Sequence, residues 1–217
     1  MREAIAAAMA RSKREIPHYY LQTHVELDRA LRWLEAENQK RPVTERVLPA
    51  ALLLKATALA LTEVPELNGT YQDGTFTPSK SVHLGVAVSL KGGGLIAPAI
   101  LDAEALPLPQ LMAKLADLVA RARGGGLKSS ELGGGTVTVT NLGDLGVESV
   151  LGVIYPPQVA IVGLGKVFER PWVNEGRVEV RRVVSISLSA DHRVSDGHRG
   201  GLFLTALERL LQAPEKL

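Results

Sequence analysis

The sequence predicts a fold that mixes helices and sheet, of the α+β or mixed α/β class, on three observations. Leu108, Leu111, Met112, Leu115, Leu118 and Val119 recur at helical steps of three and four. Val82, Leu84, Val86, Val88 and Leu90 alternate with Ser81, His83, Gly85, Ala87 and Ser89, as in a strand with one buried face. The two patterns do not repeat as regular strand–helix–strand units, so a doubly wound parallel sheet is not required.

Taken in order, residues 2–14 read as a helix, with Ile5 and Met9 on one side. Tyr19, Leu21, Thr23, Val25 and Leu27 share one face of a strand. Asp28 is placed to cap a helix carrying Leu31 and Leu34. Residues 48–63 read as a buried helix despite Lys55. After the strand at 82–90, Gly92, Gly93 and Gly94 turn the chain into a second strand, Leu95–Leu101. The helix of the long apolar stripe ends at Gly124-Gly125-Gly126. Thr136–Thr140 alternates as a strand, and residues 158–165 are a short apolar run after Pro156-Pro157. In residues 178–190, Val184, Ile186, Leu188 and Ala190 oppose Ser185, Ser187 and Ser189. A last helix carries Phe203, Leu207, Leu210 and Leu211. The chain shows no internal repeat and no linker, so one domain over residues 1–217 is expected.

Composition narrows the function. The 217 residues suffice for a sizeable core. Lys and Arg number 25 against 23 Asp and Glu, and the net charge of +2 does not suggest nucleic-acid binding. Cysteine is absent, which removes disulfides, thiolate metal sites and a cysteine nucleophile. No apolar run reaches the roughly 18 residues of a membrane span and no signal-peptide core is visible, so a cytoplasmic protein off the membrane is expected. The glycine clusters fail as phosphate loops. Gly92–Ala97 runs into Pro98 rather than a helix, Leu127 stands where a Walker glycine would, and Gly165-Lys166 is followed by Val167. The five histidines show no metal-ligand spacing, so no metal is expected.

The chemistry-bearing segment is Asp191-His192-Arg193-Val194-Ser195-Asp196-Gly197, between a predicted strand and a predicted helix. Read locally, Asp196 is a helix N-cap with Ser195 as the rival, and His192 is a loop histidine. The heptad resembles the DHRxxDG signature of the 2-oxo acid dehydrogenase acyltransferases, the dihydrolipoamide acyltransferase catalytic domain. Other segments resemble that family in the same order: the opening helix followed by Ile16-Pro17-His18-Tyr19-Tyr20, then Pro65-Glu66-Leu67-Asn68, Val86–Pro98, Thr138–Gly143 and Pro156–Ile161.

The resemblance implies a chloramphenicol-acetyltransferase-like fold and a trimer with active sites between subunits. It also implies transfer of an acyl group between a dihydrolipoyl sulfur and the thiol of coenzyme A. His192 is then the general base, and Thr140 the hydroxyl that meets the oxyanion from a neighbouring subunit. Asp196, with Arg193, shapes the site, and Gly197 permits tight helix entry. His18 is a strand-entry residue. Arg11, Lys13 and Arg14 are either a contact for coenzyme A phosphates or a solvated helix end.

Family members carry lipoyl and peripheral-subunit-binding domains ahead of the core. None is visible here, so the lipoyl group is expected from another domain or chain, alongside other subunits of the dehydrogenase complex. The chain is expected as a trimer, with a larger cage open. Gly146–Val150 is closer to acetyl (pyruvate dehydrogenase) or branched-chain members than to succinyl ones. Two other readings stay open: a coenzyme A-dependent O-acetyltransferase of the same fold, and a trimeric scaffold without turnover. A histidine base predicts a rate that falls at acid pH as the imidazole, ordinarily near 6.5, takes up a proton.

Overall fold

The computed structural model describes residues 2–90 and 93–217. Gly92, expected in the turn before the second strand, lies outside them. The elements run α1 (Arg2–Glu15), β1 (His18–Glu26), α2 (Asp28–Gln39), α3 (Pro49–Glu63), β2 (Gly69–Gln72), β3 (Thr75–Pro78), β4 (Leu84–Val86), β5 (Val88–Ser89), β6 (Leu95–Ile96), β7 (Ala99–Ile100), α4 (Leu108–Gly124), α5 (Ser129–Gly133), β8 (Val137–Asn141), β9 (Ala160–Asn174), β10 (Arg177–Asp191) and α6 (Gly197–Leu211). A six-stranded sheet has the order β1-β10-β9-β8-β4-β7. Its β8 pairs are parallel and the others antiparallel, so the sheet is mixed.

The two faces of this sheet differ in kind. Leu21, Leu188, Val162 and Val139 stand side by side in register on one face, where the apolar stripes of α2, α3, α4 and α6 close over them. Burying each such side chain contributes about 1.5–3 kcal/mol. The other face carries Gln22, Ser187, Gly163 and Thr140 in register, small and polar across four strands. Helix α3 is buried nearly all round, Lys55 included. Its ammonium donates to the carbonyls of Glu104 and Leu106 at 2.6 and 2.7 Å, which offsets the cost of burying it.

Several expectations need correction. Asp28 caps nothing: the N-cap of α2 is Leu27, without a side-chain hydrogen bond, and the Asp28 carboxylate accepts from Arg182 Nε at 2.7 Å instead. The strand expected over 82–90 divides at Ala87, whose N–H donates to the Val139 carbonyl, and that over 95–101 divides at Pro98, which has no N–H to give a ladder. Strand β9 runs nine residues beyond its expected end and pairs with the first half of β10 as a two-stranded arm turned by Glu175 and Gly176, both at positive φ. Lys166, Glu169, Arg170 and Pro171 break the apolar alternation that would have shown this arm in the sequence. The two- and three-residue strands β4 to β7 and the short α5 offer no length over which a periodicity could register.

Candidate active site

The heptad sits where expected, from the last residue of β10 into α6. Asp191 is fully buried and receives Arg193 three ways: from its backbone N–H at 3.0 Å, from Nε at 2.9 Å and from Nη2 at 2.7 Å. The Arg193 guanidinium also lies 4.1 Å from the centre of the Tyr71 ring. The Asp191 hydrogen bonds raise its affinity for its proton, so it stays charged. Together these contacts fold the chain sharply after β10 and turn His192 outward. His192 is exposed; its N–H donates to the Pro17 carbonyl at 2.9 Å and its ring meets Tyr19 edge-on, centroids 5.2 Å apart. Tyr19 in turn hydrogen-bonds Ser195 at 2.9 Å, and burial raises the pKa of its phenol, so the hydroxyl keeps its proton.

Asp196 is the N-cap of α6 and accepts the Arg199 N–H at 3.0 Å, so of the two local candidates Asp196 caps and Ser195 serves Tyr19. The Arg199 N–H, with further help from His198, holds the Asp196 carboxyl below its usual range. Gly197 does not act as expected. Among the described residues a Cβ there would meet nothing within 4 Å, and its φ is ordinary, so the chain does not require glycine at that point. The glycine that brings α6 close is Gly200, where a Cβ would press on Leu21, Leu188 and Tyr19.

Thr140 lies elsewhere. It is level with Gly163 and hence with Ser187, five residues short of His192 and two strands away. Strand geometry puts the two about 20 Å apart within the chain. Thr136 and Thr138 on the same face spend their hydroxyls on Asn68 and Gln158, both at 2.6 Å. Among the described residues no side-chain hydrogen bond engages the Thr140 hydroxyl.

Between the two lies the crossover from β8 to β9, residues 142–159, which returns along the polar face of the sheet. Lys166 N–H donates to the Val147 carbonyl at 2.8 Å and Ser187 donates to that of Val150. This close approach is why Gly163 and Gly165 lack side chains. A Cβ on either would fall on the crossover backbone, at Val150 and Glu148 respectively. Leu145, Val147, Leu151 and Tyr155 face outward from it. Tyr71 belongs to no local pattern and was not legible in the sequence; Tyr19 was read only as a strand residue, Ser195 only as a rival helix cap, and the crossover only through the resemblance of Gly146–Val150 and Pro156–Ile161, because the contacts that join them are distant in sequence. Arg11 pairs with Glu15 at 2.8 Å and Lys13 donates to Tyr20 at 2.6 Å. Among the described residues, no group of three His, Asp or Glu is placed to hold a metal, and no helix is long and apolar enough to cross a membrane.

The fold defines the class. The chain superposes on chloramphenicol acetyltransferase with a TM-score of 0.62 over 94% of both chains, at 16% identity, a likeness of fold alone. Much nearer are a probable dihydrolipoamide acetyltransferase of Listeria monocytogenes (TM-score 0.92, 31% identity, 98% of this chain and 92% of that one) and the dihydrolipoamide acetyltransferase of Azotobacter vinelandii (0.89, 28%, 97% and 88%). The cubic core of the pyruvate dehydrogenase multienzyme complex matches equally well (0.89, 29%, 97% and 88%). In sequence, the acetyltransferase component of the Zymomonas mobilis pyruvate dehydrogenase complex is 35% identical over 99% of this chain and 49% of its own length. This chain thus spans about half the length of the curated relatives it matches. The model of the family described as 2-oxoacid dehydrogenases acyltransferase (catalytic domain) matches residues 1–217, and the chain belongs to that family.

Proposed function

We propose that residues 1–217 form one catalytic domain that moves an acyl group between a dihydrolipoyl sulfur and the thiol of coenzyme A, working as a trimer. The carrying observation is a spacing. The Azotobacter enzyme was studied for the roles of a serine, a histidine and an asparagine in its catalytic mechanism. There the serine stands 52 positions before the histidine and the asparagine four after it. Thr140, His192 and Asp196 keep both intervals.

In this reading the neutral His192 imidazole takes the proton of the attacking thiol, only a few per cent of which is thiolate at neutral pH. The sulfur adds to the thioester carbonyl, and the oxyanion that forms accepts a hydrogen bond from Thr140 of a neighbouring subunit. The intermediate collapses, the carbon–sulfur bond to the departing thiol breaks, and that sulfur recovers the proton from the imidazolium. The Asp191–Arg193 pair holds the loop, and Asp196 enters as its cap rather than as a proton carrier. The roughly 20 Å between Thr140 and His192 in one protomer is the physical reason for a site between subunits. The lipoyl group arrives on another domain or chain, and other dehydrogenase subunits are partners. A larger cage, as in the cubic core, is an extension of the trimer. The cytoplasm is the compartment in this reading.

The test is acyl transfer from acetyl-, isobutyryl- and succinyl-coenzyme A to free dihydrolipoamide, with His192→Ala alongside. Transfer from acetyl- or isobutyryl-coenzyme A that disappears in the variant is expected. No transfer from any donor by a verified trimer would sink the proposal and favour a scaffold.

A further inference from the structure

His18 was expected to do no more than start β1, yet the structure ties it to two parts of the candidate site. Its Nδ1 lies 2.9 Å from the Ile16 carbonyl, which also accepts the His18 backbone N–H at 2.9 Å. Its Nε2 lies 3.1 Å from the Ile154 N–H of the crossover. A backbone N–H can only donate, so Nε2 must be the bare nitrogen and Nδ1 must carry the proton. On its other side Ile154 is held by Ser12, whose hydroxyl donates to the Ile154 carbonyl at 2.6 Å. Ile154 and Ile16 also share a small apolar cluster with Ile161, apart from the main core. The residue between Ile16 and His18 is Pro17, whose carbonyl receives the His192 N–H.

We propose that His18 is a positioning residue: its neutral, Nδ1-protonated ring clamps the crossover at Ile154 to the Ile16–Pro17 corner, and that corner holds the backbone of His192. The proposal deepens the acyl-transfer reading and rests on it for the word positioning; the clamp itself does not. The clamp is acid-sensitive by construction. A proton on Nε2 replaces the acceptor with a donor aimed at the Ile154 N–H. Burial holds His18 below the ordinary histidine range. Around it stand Lys13 of α1, which opposes protonation, and Asp191 of β10, which favours it but is already paired with Arg193. Tyr20 of β1 stacks beside the ring, its hydroxyl taken by Lys13. The neutral form is therefore bound preferentially, and the clamp is present at neutral pH and lost as pH falls through the lowered His18 value.

The experiment uses the whole chain. Nitrogen-15 spectra of the imidazoles at pH 7.5 should show His18 protonated on Nδ1; the Nε2–H form would overturn the proposal. Amide exchange should then be compared in the parent, His18→Ala and His18→Gln. Protection of the Ile154 and His192 amides should fall about tenfold in the alanine variant, the size of one buried hydrogen bond. Glutamine, whose Oε1 can accept in place of Nε2, should restore most of it. Unchanged protection at His192 in His18→Ala would overturn the proposal. Should the alanine variant not fold, acidifying the parent provides the same comparison. Loss of protection at Ile154 and His192 ahead of the amides of β1 supports the clamp, and uniform loss refutes it. In the transfer assay, kcat should drop about tenfold in His18→Ala at pH 7.5 and recover in His18→Gln, with KM little changed. Absence of transfer in the parent would refute the acyl-transfer reading alone, and the exchange data would still decide the clamp.

Discussion

At the scale of single residues, the heptad joins one reactive side chain to a rigid support. His192 is exposed and, among the described residues, its ring carries no structural bond apart from the edge contact with Tyr19. Its replacement by alanine should leave the fold intact and lower turnover by about 10²–10⁴, the usual worth of a positioned general base. Thr140→Ala should cost about 10²–10³ in kcat, and Thr140→Ser should keep most of the activity because the hydroxyl survives. Equal rates for Thr140→Ala and the parent, measured with saturating coenzyme A, would remove Thr140 from the mechanism. Arg193 is the opposite kind of residue. Its removal leaves the Asp191 carboxylate buried without its partner, so Arg193→Met should destabilise the chain by about 3 kcal/mol in urea unfolding. Adding Asp191→Asn should recover part of the loss, because the stranded charge is then gone. The heptad itself was legible in the sequence. That Asp191 and Arg193 pair within it was not, because a carboxylate and a guanidinium two residues apart meet only when the backbone between them turns.

At the scale of elements, helices were more legible than strands. α3, α4 and α6 bury stripes several turns long, and such stripes outweigh local exceptions such as Lys55. β4 to β7 are two or three residues each, and backbone partners far along the chain decide where they begin and end. The crossover was the least legible piece. It has no periodicity, since its residues are held by hydrogen bonds to β9, β10 and the α1–β1 corner rather than by a face of its own. Its course accounts for Gly163 and Gly165. Gly163→Ala should push Val150 off the sheet and destabilise the chain by about 1–3 kcal/mol, as overpacking does. Thermal unfolding of that variant at the parent temperature would show that the crossover has room to move.

At the scale of the whole molecule, the proposed reaction turns on the distance between Thr140 and His192. A site assembled from two protomers predicts complementation. His192→Ala and Thr140→Ala chains, each inactive alone, should regain about a quarter of the parent activity when unfolded together, mixed equally and refolded as trimers, since one site in four then pairs an intact histidine with an intact threonine. No recovery in mixed trimers of verified composition would place both residues in one protomer and contradict the geometry. By itself the sequence determined the fold class, the longer helices and the family, and it marked out His192, Thr140 and Asp196 as candidates, because apolar periodicity and short motifs are written along the chain. The tertiary structure alone decided what those residues can reach. It separated Thr140 from His192, laid the crossover between them and gave His18 a partner 136 residues away, because contacts between distant segments follow from how the sheet is ordered and not from any neighbourhood in sequence.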